Sequence, residues 1–154
     1  MDEFSVALND ILVEAYYNIL DFEEQAIKKD HRLKLSINEM HLIEAVGKKN
    51  GKGRTIGEIA EDLRITMPSA TIAVNKITAK GYTEKMRCQE DGRVVRVRLT
   101  KEGQKIERYH RFYHHRMVEE LSKNLTDEER QCLVRAIKKL NTFFQNSLRE
   151  GEKE

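Results

Sequence analysis

A chain of 154 residues with 35% charged and 39% hydrophobic side chains, eight glycines and one proline reads as a helix-rich globular protein with one sizeable core. No apolar run approaches the roughly 18–20 residues that span a bilayer, and the acidic opening MDEFSVALND lacks the basic and apolar regions of a signal peptide. No membrane partner and a cytoplasmic location are therefore expected. Cys88 and Cys132 are too few for a disulfide framework and read as free thiols. Neither has a pKa-lowering neighbour beyond Arg87 that would mark a redox switch.

The net charge of +2 conceals an uneven distribution. Residues 1–30 hold two Lys/Arg against eight Asp/Glu, whereas residues 64–101 hold nine against three. A local basic block in a nearly neutral chain is the electrostatic footprint of a nucleic-acid site.

Residues 4–28 predict one long helix, with Phe4, Leu8, Ile11, Leu12, Ala15, Ile19 and Phe22 recurring at spacings of three and four. Residues 31–35 connect it to a second helix, opened by the capping box Ser36…Glu39 and running to about Val46. Residues 48–53 form a basic, glycine-containing loop. Thr55…Glu58 is a second capping box, and the short helix behind it turns Ile56, Ile59, Ala60 and Leu63 inward. After the turn Arg64-Ile65-Thr66, Thr66 caps a further helix with Pro68 in its first turn, and that helix stops at Gly81. Its inner face is Ala70, Val74 and Ile77.

The period then changes from helical to alternating. Residues 83–99 predict a β-hairpin with its turn at Gln89-Glu90-Asp91-Gly92. Thr100 caps a long helix to about 123, and the capping box Thr126…Glu129 opens a last one to about Leu148, with Leu133, Ile137, Leu140 and Phe144 as its stripe.

The fold expected is mainly α with a small β-hairpin wing: a winged helix-turn-helix flanked by long helices. Residues 1–35 would form the N-terminal helix, 36–100 the DNA-binding domain and 101–154 the C-terminal helices. The second helix of such a motif enters the major groove. Its outward residues are Ser69, Thr71, Ile72, Asn75 and Lys76. The hydroxyls suit phosphates or base edges, Asn75 an adenine edge and Ile72 a thymine methyl. Lys76, Lys80, Arg87 and Arg96 suit phosphates. Arg93 at the wing tip suits the minor groove, steadied by Asp91. Double-stranded DNA is the partner this predicts. No phosphate-binding glycine loop, nucleophile elbow or paired-carboxylate cleft points to an enzyme.

These features resemble the MarR family of multiple antibiotic resistance regulators. The resemblance is carried by IGEIAEDLRIT, AKGYTEK, the wing tip EDGR, and VVRVRLTKEG with its Leu99-Thr100-x-x-Gly103. It implies a homodimer, with residues 1–35 as its N-terminal dimerisation helix and 101–154 as its C-terminal dimerisation helices, that represses by binding a pseudo-palindromic operator. SINEMHLIEAVGK and RYHRFYHHRMV are further similar to FabT-type regulators of fatty-acid synthesis, which implies an effector that is a small molecule or an acyl group on acyl-carrier protein.

His110 and His114 lie four apart on one helix face, with His41 and Glu24 on earlier helices. That set is able to ligate zinc, as zinc-sensing members of the resembled family do, or to line an effector pocket together with Ile19. His31 and His115 have no assignable partner. Two alternatives stand beside the repressor: a zinc-responsive regulator on the same scaffold, and a winged-helix protein-interaction module.

Overall fold

The computed structural model describes residues 2–29, 34–48, 52–87 and 94–151. In chain order it contains α1 (Glu3–Lys29), α2 (Ile37–Gly47), β1 (Arg54–Thr55), α3 (Ile56–Leu63), α4 (Met67–Ala79), β2 (Thr83–Arg87), β3 (Val95–Leu99), α5 (Lys101–Lys123) and α6 (Asp127–Gly151). This is the expected mainly α, winged helix-turn-helix architecture. The chain divides into two compact units, residues 1–112 and 113–154, with the division inside α5.

The core of the first unit is built around α2. Met40, Leu42, Ile43, Ala45 and Val46 are all buried, so this helix is enclosed rather than amphipathic. Against it pack Ile59 of α3, Val74 and Ile77 of α4, and Val97 and Leu99 of β3. Both capping boxes form as the sequence predicts. Glu39 N–H donates to Ser36 Oγ at 3.3 Å while Ser36 N–H donates to Glu39 Oε2 at 2.9 Å; the Thr55–Glu58 pair does the same at 3.2 and 2.8 Å. Each box satisfies two amide donors that an uncapped helix start leaves open.

The turn between α3 and α4 closes on Arg64, which adopts φ 54° and ψ 43°. There the Ile65 N–H reaches Ala60 O at 3.0 Å and the Arg64 N–H reaches Glu61 O at 3.2 Å, completing a left-handed helix cap. At the other end of α4, Gly81 (φ 82°) plays the predicted capping part, and Tyr82 N–H donates to Ile77 O at 3.1 Å.

The sheet has three strands in the order β1-β3-β2, all antiparallel. The hairpin of β2 and β3 was legible, but β1 was not. It contributes two residues, Arg54 and Thr55, opposite Val97 and Arg96, too short to show alternation. Arg54 explains why it lies there. Its buried guanidinium donates to Ala45 O at 2.7 Å, Asp62 Oδ2 at 2.9 Å and Glu58 O at 2.9 Å, stapling α2, α3 and the sheet together.

The start of α5 is fixed by a close backbone approach. Thr100 N–H donates to Tyr82 O at 3.1 Å, and Thr100 Oγ1 donates to Gly81 O while accepting from Gly103 N–H. A Cβ on Gly103 would lie 2.0 Å from Tyr82 O, so the position admits only glycine without movement. In the second unit, the Thr126–Glu129 capping box opens α6, and the Arg130 guanidinium donates to Ser122 O at 2.6 and 3.1 Å.

Candidate nucleic-acid interface

Helix α4 is presented by its own two faces. Ala70, Val74 and Ile77 are wholly buried, whereas Ser69, Thr71, Ile72, Asn75 and Lys76 are exposed, Ile72 at 70%. An exposed isoleucine flanked by short polar residues has no role in this chain's core. Thr66 caps the helix through a 3.3 Å bond from Ser69 N–H, and its hydroxyl donates to Ser69 Oγ at 2.9 Å. Thr71 Oγ1 donates back to Met67 O at 2.9 Å. These hydroxyls keep lone pairs available to a donor from outside.

The wing register places Lys85 opposite Val97, Arg87 opposite Val95 and Thr83 opposite Leu99. Directly opposed residues share a face, so Lys85 and Arg87 stand with the apolar residues of β3, and Met86 with Arg96. The apolar alternation of the two strands is thus out of phase. Lys85 reaches toward α4, where its Nζ donates to Asn75 Oδ1 at 2.6 Å; Thr78 and Thr83 join hydroxyls at 2.7 Å in the same seam. Arg87 is exposed. Arg96 turns inward to Gly53 O at 3.2 Å and Glu58 at 3.7 Å, and Arg98 pairs across the strands with Glu84 at 2.6 Å. Cys88, Asp91, Arg93 and His31 lie outside the described residues.

Two lysines singled out for phosphates have partners that sequence reasoning missed. Lys80 Nζ donates to both Glu39 oxygens and to Lys34 O, each at 2.8 Å. Lys76 Nζ lies 3.1 Å from Glu39 Oε1 but keeps 64% of its side chain exposed. Burial pushes the Glu39 carboxyl up, but Lys80, the Ser36 amide and Lys76 outweigh it and hold it at about 2. Glu39 is both the cap of α2 and the anchor of α4, roles separated by about 40 residues. Likewise, burial would raise Asp62, and Lys48 and Arg54 outweigh it and lower it.

The histidine cluster is also rearranged. Glu23 Oε2 lies 3.3 Å from His41 Nε2, and the His41 and His110 rings meet edge-on at 5.8 Å. Glu23, His41 and His110 each offer a ligand atom within 4.8 Å of the others. His110 Nδ1 also lies 3.6 Å from Glu44. Glu24, the carboxylate expected here, is exposed and pairs instead with Lys28 at 3.0 Å; adjacent helical residues point about 100° apart, and packing selected Glu23. Ile19, one turn before Glu23, is exposed. His114 belongs to the second unit, where its ring packs against Tyr113 at 6.4 Å. A cavity of about 550 Å³ in the first unit is lined by Val46, Gly47, Leu99, Arg98, Gln104 and Arg108 among others, and by none of Ile19, His41 or His110.

A short helix, a tight turn, an exposed second helix and an antiparallel wing define a winged helix-turn-helix protein. Residues 24–108 match the family of the transcriptional regulator SarA/Rot, and the chain belongs to that family. Among solved structures it is similar to FabT of Streptococcus pneumoniae in complex with DNA, at 30% identity and a TM-score of 0.87, covering 92% of this chain and 98% of that one. A MarR family protein from Bacillus stearothermophilus shares 19% identity at a TM-score of 0.74, covering 94% and 99%. A DNA complex of S. aureus MepR shares 16% at 0.71, covering 87% and 94%; these two likenesses speak to the fold. No curated protein sequence matches the chain. The MarR-type resemblance of residues 55–103 is borne out, and the protein is a transcriptional regulator rather than an enzyme. No helix among the described residues is long and apolar enough to cross a membrane.

Proposed function

We propose that this regulator binds double-stranded DNA as a homodimer in the cytoplasm and represses transcription from a pseudo-palindromic operator. The carrying observation is α4, whose inner face is sealed in the core while Ser69, Thr71, Ile72, Asn75 and Lys76 stand exposed beside Lys85 and Arg87 of the wing. The similar FabT and MepR structures are DNA complexes. The dimer reading is supported by the apolar residues that the single chain leaves exposed: Phe4, Ile11 and Ile19 on α1, and Ile137, Phe144 and Leu148 on α6. Two copies would present two α4 helices to half-sites about 34 Å apart. The FabT-type resemblance extends the proposal to genes of fatty-acid synthesis with an acyl-type effector.

Fluorescence anisotropy on duplexes that the protein selects from a random-sequence pool tests this. Asn75→Ala costs about 1–3 kcal/mol on the selected sequence and little on an unrelated one. Affinity that is weak, salt-independent and indifferent to sequence would sink the proposal in favour of a protein-interaction module.

A second reading is favoured by Glu23, His41 and His110, two imidazoles and a carboxylate gathered within 4.8 Å. Such a set fits a first-row divalent cation such as zinc with a position left open. Competition with a chromophoric chelator measures it: micromolar or tighter zinc affinity, lost in His110→Ala, supports a metal-responsive regulator, and no competition removes that reading.

A further inference from the structure

We infer that Arg64, in the turn ahead of the reading helix, is a direct contact to the DNA phosphate backbone, an inference that rests on the DNA-binding reading above. Arg64 is the only non-glycine residue with positive φ among the described residues. Its left-handed conformation is imposed by the cap, whose bonds run through backbone atoms alone: Arg64 N–H to Glu61 O and Ile65 N–H to Ala60 O. Glycine or asparagine would make the same cap with less strain. The arginine side chain therefore does nothing for the turn that a smaller residue would not do better.

Nor does it serve the fold elsewhere. The side chain is exposed, and among the described residues no carboxylate or carbonyl pairs with its guanidinium. Among the described cations of this region it shares that state with the exposed Arg87 of the wing, and the rest differ. Arg54, Arg96, Arg98, Lys76, Lys80 and Lys85 each have a described partner. Arg64 lies two residues before Thr66, the N-cap of α4, at the end of the helix that such motifs direct into the major groove. A long, always-charged fork held there at a cost to the backbone is suited to an anion supplied from outside, and on a duplex the anion along the groove edge is phosphate. A strained position kept by a residue that does not ease the strain is where function is expected.

Three full-length variants separate the contact from the cap. Arg64→Gly relieves the strain and removes the charge, Arg64→Ala removes the charge alone, and Arg64→Lys keeps both strain and charge. Thermal unfolding and anisotropy across a salt series are measured on a duplex selected by the wild-type protein and on an unrelated duplex of equal length. Arg64→Gly is expected to raise Tm by about 2–4 °C. It should weaken both duplexes about fivefold per protomer at 0.15 M salt, with the slope of log K against log salt falling by about 0.9 per protomer. Arg64→Ala should weaken binding equally without the Tm gain, and Arg64→Lys should keep the slope. A glycine variant with higher Tm and unchanged affinity and slope overturns the contact and leaves the DNA-binding reading standing. A fall in Tm for glycine overturns it as well, because the side chain then serves the fold. A wild-type protein that binds no duplex at low salt overturns both.

Discussion

The reading head and the long flanking helices solve opposite problems. Around α2, helices α3 and α4 are tied twice, once by apolar packing and once by a polar link: Arg54 joins α2, α3 and β1, and Glu39 joins α2 to α4 through Lys80. Helices α1 and α6 instead keep Phe4, Ile11, Ile137, Phe144 and Leu148 exposed. Exposed apolar surface on long helices marks an interaction site, which the proposed homodimer would fill with a second copy. The comparison teaches that orientation of the reading helix is set by contacts within one chain, whereas the flanks carry apolar residues for which the proposed dimer would supply the cover.

The largest effect that would break this picture lies at the junction of the wing with α5. Gly103→Ala drives a methyl into Tyr82 O and should cost about 3 kcal/mol in urea unfolding. An undiminished midpoint would show that α5 is free to shift. Next, Glu39→Gln leaves the cap but removes the charge that holds Lys80 and Lys76, at a cost of about 2 kcal/mol. The same group gives a pH signature. Its folded pKa is depressed to about 2, so its stabilisation is present above the ordinary value of 4.5 and is lost as pH falls from there to about 2. Acid titration of stability should therefore be shallower in Glu39→Gln than in the parent.

A smaller effect sharpens the division of labour between the two lysines. Lys80→Met should lower stability by about 1–2 kcal/mol with little change in the salt slope of DNA binding. Lys76→Met should leave stability within about 0.5 kcal/mol and lower the slope by about 0.9 per protomer. Equal slope losses would return Lys80 to the phosphate contacts. In the flanks, Ile137→Asp should convert dimer to monomer by sedimentation while the helical circular dichroism persists. A monomeric parent would end the distinction between the two regions.

Much of the head was legible because its signals are local. A capping box spans four residues, a helix face eight, and the switch from period 3.6 to period 2 after Gly81 needs only the hairpin itself. Ser69, Thr71, Ile72, Asn75 and Lys76 were correctly placed outward because Ala70, Val74 and Ile77 define the phase of α4. The candidate cation site was less legible. A Glu-Glu pair precedes the end of α1, and no local pattern says which carboxylate faces His41.

By itself, then, the sequence determined the order and type of the elements, the inward and outward faces of α4, and the basic hairpin beside it, since each depends on neighbours within a few residues. Only the tertiary structure decided that Glu39 takes Lys76 and Lys80 from the solvent side, that Glu23 rather than Glu24 meets His41 and His110, and that Arg54 begins a third strand. Those outcomes depend on how helices distant in sequence rotate and pack against one another, and a rotation of one residue, about 100°, exchanges which side chain is buried.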